Sequence, residues 1–230
     1  MESGVLTFHL SHLCMMNDEY EGKLIFDKYF TESNKKSKQK IGFEDYISNN
    51  IPFIMSLSKT NNDTKDSGYL PMWKMYGDNF KGCRLRFGYN ELTNHIDGLK
   101  SQKYEISLGI CEYAKSNDVK EIIKEINKHN NNELNNSDLL RKAVFTKLHH
   151  WEYENECRIM ILEKPENVRN KFTANRVIEY INFDIPITCL KEIMLGPLTN
   201  EDIMKPLSSI VRKLNTQNQI SIKKSKLAIQ

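Results

Sequence analysis

Residues 149–161 read HHWEYENECRIMI. From Cys157 to Leu162 the chain is apolar on both faces apart from Arg158, the pattern of a strand with neighbours on either side. The spacing therefore predicts a central strand over about Glu156–Leu162. If it starts near Glu154, alternation puts Glu154, Glu156 and Arg158 on one face, and Asn155, Cys157, Ile159 and Ile161 on the other. Three ionisable side chains in a row on so apolar a strand are costly unless they pair or line a cleft. Two neighbouring carboxylates push one pKa upward, which suits acid–base or electrostatic chemistry. The structural alternative is a salt-bridged strand entrance, with Arg158 neutralising Glu156.

Around this strand lie other short stretches rich in β-branched and aromatic residues: Val5–His9, Pro52–Ser56, Gly82–Phe87, Glu105–Tyr113, Arg176–Phe183, Cys189–Leu195 and Gln219–Lys223. Helical patterns cover Asp118–His129, Asp138–His149 and Asn200–Leu214, with Ser137 and Thr199 at N-cap places. Asn17–Phe30, Phe43–Asn49 and Leu70–Tyr76 are shorter helical candidates. Strands and helices mix without regular βαβ alternation, so the class is α+β: a mixed, mainly antiparallel sheet with flanking helices. Three polar stretches, 31–40, 59–68 and 127–136, read as solvated loops. None is long enough to mark a domain boundary, and one domain over 1–230 is expected.

The chain has 230 residues, with 33 Lys+Arg against 30 Asp+Glu and a net charge of +3. That is enough length for a full core without disulfides or metal, and too small a charge to announce a dedicated nucleic-acid surface. No apolar run approaches a membrane span, and the first residues lack a signal-peptide layout. Five cysteines, with no close pair, fit reduced thiols in a cytoplasmic protein. Walker-type, G-x-G-x-x-G, G-x-S-x-G and H-E-x-x-H motifs are absent, and no zinc spacing is present, so no metal is expected.

Three further clusters could carry chemistry. In Pro71–Phe87, Trp73 and Tyr76 share a face on a helical turn, followed by a Gly77-Asp78 turn signal and a strand carrying Arg84 and Arg86 on one side. Aromatics beside a basic strand suit a nucleobase or nicotinamide ring; a hydrophobic anchor with an ordinary exposed strand face is the plainer reading. Ser56 and Ser58 point to the same side at a strand end, placed to hold a ligand or cap a turn. Asp18, Glu19 and Glu21 form an acidic run better suited to a helix N-terminus than to a cation.

Six short motifs stand in order: Asn17-Asp18-Glu19-Tyr20-Glu21, Ser56-Leu57-Ser58, Met72-Trp73-Lys74-Met75-Tyr76, Gly82–Phe87, Lys147 with Trp151-Glu152-Tyr153-Glu154-Asn155-Glu156-Cys157-Arg158, and Ile193-Met194-Leu195-Gly196. Together they resemble the bacterial domain of unknown function 2971, with a core over about 5–197 and a C-terminal helix and strand over 199–223. Two departures stand out. Glu19 occupies a place where that family usually has Pro, and sixteen residues precede Asn17 where such proteins carry an extra strand and helix, so that element is expected to be missing or replaced.

The resemblance carries no established activity. In outline the layout is similar to the ADP-ribosyltransferases, which combine an S-x-S strand end with an E-x-E before a late strand. That likeness implies NAD as cofactor, Glu156 as the ribose-binding carboxylate and Glu154 as the residue orienting the acceptor, with Arg158 beside them. Ser56, Ser58, Trp73, Tyr76 and Tyr153 would line the nicotinamide side. Stabilising positive charge on the ribose would be the chemical task. The rival is a non-catalytic sensor or effector module, in anti-phage defence or a toxin–antitoxin pair, that binds a nucleotide, an NAD-like molecule or a partner protein. A third reading is a metal-dependent nuclease built from Asp18, Glu21, Glu154 and Glu156.

Overall fold

A computed structural model of the chain describes residues 4–16, 51–61, 65–100, 105–115, 124, 136–163, 167–173, 176–214 and 220–229. The strands are β1 (Val5–His12), β2 (Ile51–Ser58), β3 (Cys83–Phe87), β4 (Glu105–Ile110), β5 (Glu112–Ala114), β6 (Thr146–Leu148), β7 (Glu156–Glu163), β8 (Arg169–Phe172), β9 (Val177–Pro186), β10 (Leu190–Leu195) and β11 (Ser221–Lys224). The helices are α1 (Leu70–Met75), α2 (Tyr89–Lys100), α3 (Asn136–Val144) and α4 (Met204–Leu214). Most strand pairs are antiparallel, and the class is α+β as the sequence pattern implies. The candidate helices at 17–30, 43–49 and 118–129 lie outside the described residues, save Lys124.

Two compact units divide the chain, each assembled from separate stretches. Unit 1 comprises Met1–Phe8, Lys59–Ser101 and Phe183–Gln230; unit 2 comprises His9–Ser58 and Gln102–Asn182.

Unit 2 is organised by β7. It pairs antiparallel with β2 on one side (Ser58 opposite Glu156, Ile54 opposite Met160) and with β4 on the other (Gly109 opposite Arg158). The expected central strand is thus present, and its residues from Glu156 to Ile161 are buried. Apolar side chains on both faces explain this: Cys157, Ile159 and Ile161 alternate with Met160, and Phe53, Ile54 and Ile106 are buried alongside them. Residues 105–113, read as one strand, break at Cys111 into β4 and β5. The helix expected over Asp138–His149 stops at Val144, because residues 146–148 turn extended and pair in parallel with β5. β8 carried no sequence signal, since all four of its residues are exposed and nothing alternates.

Unit 1 holds the three-stranded sheet β11-β10-β3. On one face Leu85, Phe87, Ile193 and Ile222 pack with Leu207 and Val211 of α4. The cap of the α4 segment falls one residue later than the pattern suggests. Asn200 accepts from the Asp202 backbone N–H (3.0 Å), while Thr199 donates its hydroxyl to the Lys81 carbonyl (2.7 Å). The helix α2 was not foreseen; its buried contacts come only from Leu92 and Ile96, one helical turn apart.

Candidate functional site

Unit 2 gathers a buried ionic quartet where β7 begins. Glu154 ends a 3-10 turn over His149–Glu154, and Asn155 takes the left-handed conformation (φ 45°) before the strand starts at Glu156. The pair of acids therefore does not sit on one strand face by simple alternation. Lys147 of β6 brings them together: its Nζ lies 2.5 Å from Glu154 Oε2 and 2.9 Å from Glu156 Oε2. Arg158 donates from Nε to Glu156 Oε1 (2.7 Å) and from its terminal nitrogen to Oε2 (3.1 Å), a bidentate grip. It also donates to the Val144 carbonyl. Arg158 is 0% exposed, Glu156 3% and Glu154 4%.

Backbone and hydroxyl contacts lock the quartet in place. Ser58 donates to the Glu154 carbonyl, and Ser56 hydrogen-bonds the Glu156 carboxylate. The Glu156 N–H donates to Tyr113 Oη (2.6 Å), and the Cys111 N–H donates to the Glu156 carbonyl (3.0 Å). The Lys147 ammonium lies 5.0 Å from the centre of the Trp151 ring, and Trp151 in turn neighbours Tyr153 (6.0 Å between centroids). Of the site residues expected from the sequence, Ser56, Ser58, Tyr153, Glu154, Glu156 and Arg158 belong to this unit. Lys147, Tyr113 and Trp151 were missed as site residues; Lys147 and Trp151 stood only within the motif that runs to Arg158, and Tyr113 had no signal.

Burial dominates the electrostatics. It pushes the Glu156 carboxyl above its usual range, against the opposing pull of Lys147 and of the Ser56 hydrogen bond. For Lys147, burial alone would lower the pKa, but the Glu156 charge and the hydrogen bonds to both acids outweigh it and hold the ammonium firmly protonated. Burial raises Tyr113 to about 12 and pushes the Cys111 thiol upward, with the Glu156 charge adding to the effect. Neither is poised as a nucleophile at neutral pH. A shallow depression of about 310 Å³ on this unit is lined by Gly109, Ile110, Glu112, Arg141, Lys142 and Phe145.

Trp73 and Tyr76 belong to unit 1. Trp73 is 4% exposed, and its Nε1 donates to the Ser67 carbonyl (2.8 Å). Glycine backbones lie against its indole: a Cβ on Gly68 would meet Nε1 at 2.3 Å, and one on Gly77 would meet Cε3 at 2.6 Å. Such packing is that of an anchor. Tyr76 is 50% exposed. The following turn holds three successive non-glycine residues at positive φ: Asp78 (47°), Asn79 (49°) and Phe80 (73°). Left-handed backbone costs about 1–2 kcal/mol per residue, least for Asp and Asn, so something must clamp it. The clamp is a ladder of backbone bonds: Gly82 N–H to Gly77 (2.8 Å), Gly196 N–H to Gly82 (2.8 Å) and Leu198 N–H to Phe80 (3.1 Å). The glycines of two sequence motifs, Gly82 and Gly196, thus serve one structure.

Also in unit 1, Arg84 and Arg86 share one face of β3, as the alternation predicts, with Glu192 opposite Arg86. Among the described residues no group of three or more His, Cys, Asp or Glu is placed to hold a metal ion. The acids Asp18 and Glu21 lie outside the described residues. The four described cysteines outside the first strand region, Cys83, Cys111, Cys157 and Cys189, are free thiols. No described helix is long and apolar enough to cross a membrane.

Fold and site together define a mainly antiparallel α+β protein with a buried ionic quartet at the start of β7. Residues 72–159 match the family model "Protein of unknown function (DUF2971)", which supports the resemblance read from the motifs. The match takes in the Met72–Tyr76, Gly82–Phe87 and Trp151–Arg158 motifs. No match was found among curated proteins or among solved structures.

Proposed function

We propose that the protein is a non-catalytic binding module rather than a glycosyl-transferring enzyme. The observation that carries this reading is the engagement of both candidate catalytic acids. A carboxylate that stabilises a ribosyl cation must meet the sugar directly. Here Glu156 is held bidentately by Arg158 and is shared with Lys147, and Glu154 is held by Lys147 at 2.5 Å. The quartet's four formal charges cancel. Freeing Glu156 for a substrate would leave the fully buried Arg158 without its main counter-charge, a cost of about 3–5 kcal/mol. An ionic core that specifies one arrangement of β2, β6 and β7 is the simpler use of these residues.

Incubating the purified protein with NAD and measuring free nicotinamide tests the reading. No release above the rate without protein is expected. Release that disappears in Glu156→Gln while the melting curve stays unchanged would establish the enzyme reading instead.

A further inference from the structure

Away from the quartet, unit 2 ends in an open strand edge. The six-stranded order β4-β7-β2-β1-β9-β8 makes β8 a terminal strand, paired antiparallel with β9 on its inner side. Among the described residues nothing pairs with its outer side. The hairpin to β9 is closed by Thr173, whose N–H and hydroxyl both donate to the Arg176 carbonyl (2.9 and 2.8 Å). β8 is thus held extended before any partner arrives, with a row of backbone donors and acceptors ready for another strand.

The side chains of this edge select the kind of strand that fits it. All four residues of β8 are exposed. Alternation sets Arg169 and Lys171 on one face and Asn170 and Phe172 on the other. The surrounding sequence is basic: from Lys164 to Arg176 there are four cations and one acid, Glu166. A second copy of this chain is a poor occupant. Edge-to-edge pairing would set Arg169 and Lys171 beside the same residues of the copy, and like charges across a strand pair repel. Charge on an edge also serves as plain protection against self-pairing. Protection does not account for Phe172. It is 80% exposed, and its cross-strand neighbour Val177 is 43% exposed, so the edge ends in an exposed apolar pair. Such a pair on an open edge is a liability unless a partner covers it.

We propose that β8 takes up an acidic extended segment of a partner protein as an added antiparallel strand. An apolar residue of that segment lies opposite Phe172, and two acids, one residue apart, lie opposite Lys171 and Arg169. Backbone hydrogen bonds supply the attachment, and the alternating acids supply the selectivity. The proposal gives the binding-module reading a partner class, but it stands on a different surface from the quartet and does not depend on that reading.

Titrating the intact protein into dye-labelled Thr-Val-Glu-Thr-Glu-Thr-amide, read by fluorescence anisotropy at low salt, tests the edge. Saturable binding is expected. Combining Arg169→Glu with Lys171→Glu should weaken it about tenfold or more, since an exposed ion pair contributes up to about fivefold and repulsion removes as much again. The same double variant should instead bind Thr-Val-Lys-Thr-Lys-Thr-amide, which the parent refuses; that exchange of preference excludes a trivial loss of folding. Phe172→Ser should weaken the acidic peptide with both charges left in place. Absence of binding at millimolar protein would overturn the proposal, as would an affinity indifferent to the charge reversal. So would equal binding of the rearranged Thr-Thr-Glu-Glu-Thr-Val-amide, whose adjacent acids cannot share a strand face. A dimer of the parent, seen by sedimentation and dissolved by Phe172→Ser, would give the edge to a second copy and overturn it too. Nicotinamide release, measured separately, bears on the quartet alone and leaves these titrations as they stand.

Discussion

Substituting Glu156 by Gln gives the sharpest test of the ionic core. Gln keeps the length and hydrogen-bonding reach of the side chain and removes only its charge. At an effective dielectric near 20, a contact of 2.9 Å to Lys147 or 2.7 Å to Arg158 is worth roughly 6 kcal/mol in gross attraction. Most of that is offset, because the neutral amide escapes the desolvation that already lifts the Glu156 pKa. What remains is the cost of stranding an excess positive charge beside a fully buried arginine, about 3–5 kcal/mol. For a chain of this size, each kcal/mol lowers the melting temperature by roughly 2–4 °C, so the expected fall is roughly 6–20 °C, read by circular dichroism and by urea titration. Adding Lys147→Met restores neutrality between Glu154 and Arg158. The double variant should then be more stable than the summed single losses, by about 0.5–3 kcal/mol. If Glu156→Gln melts within about 0.5 kcal/mol of the parent, as an ordinary surface change does, the quartet contributes nothing to the fold and the argument against catalysis goes with it.

Two other perturbations probe separate parts of the chain. Gly196→Ala would drive a Cβ to 2.2 Å from the Phe80 carbonyl oxygen, a backbone atom that a rotamer change cannot move. A loss of about 1–3 kcal/mol is expected, measured by urea unfolding, and an unchanged midpoint would show that the left-handed turn yields freely. His12 is buried with Nδ1 lacking a hydrogen-bond partner among the described residues, and its pKa is lowered by burial more than the Glu179 charge raises it. The unfolded chain then takes up a proton at His12 more readily than the folded one. The resulting stability is present above pH 6.5, the ordinary value, and falls as the pH drops from there through the lowered folded value. His12→Gln should flatten that step in melting temperatures recorded between pH 7.5 and 5; a step that persists assigns the effect elsewhere.

How much of this was legible in the sequence depends on how local each signal is. β7 could be read directly, because a strand buried on both faces needs a run of apolar residues, and Cys157–Leu162 supplies one interrupted only by Arg158. Ser56 and Ser58 were read as sharing one side of their strand, since period two fixes which side chains share a face; the structure sets them opposite Arg158 and Glu156. Lys147 was not recognised as the residue that joins the two acids. It sits in a three-residue strand directly after a helix, where helical and extended patterns overlap, and its role depends on pairing with β5. Nor could the left-handed turn at Asn155 be foreseen; it interrupts the alternation between Glu154 and Glu156, so of the expected pairings only that of Arg158 with Glu156 follows from counting by two. The two units were equally hidden, because each is stitched from distant stretches and no change of composition marks the joins.

The same distinction separates the two charged clusters in chemical terms. In the quartet every charge has an opposite partner within hydrogen-bond reach, and burial makes each bond costly to break. Residues in that condition hold a structure in one state. Around Glu192, Arg84 and Lys223 stand at hydrogen-bond distance and Arg86 at 3.6 Å, and the Arg84 and Arg86 side chains are 22% and 35% exposed. Burial by itself would raise the Glu192 pKa, yet its hydrogen bonds to Lys223 and Arg84 bring it below the ordinary value, so the carboxylate stays ionised at neutral pH. Sequence reading ranked the acids of β7 above the arginines of β3 because paired carboxylates are the more familiar sign of chemistry. Burial and pairing weigh against that ranking: both acids are held by cations within hydrogen-bond reach, as Glu192 is held by Lys223 and Arg84.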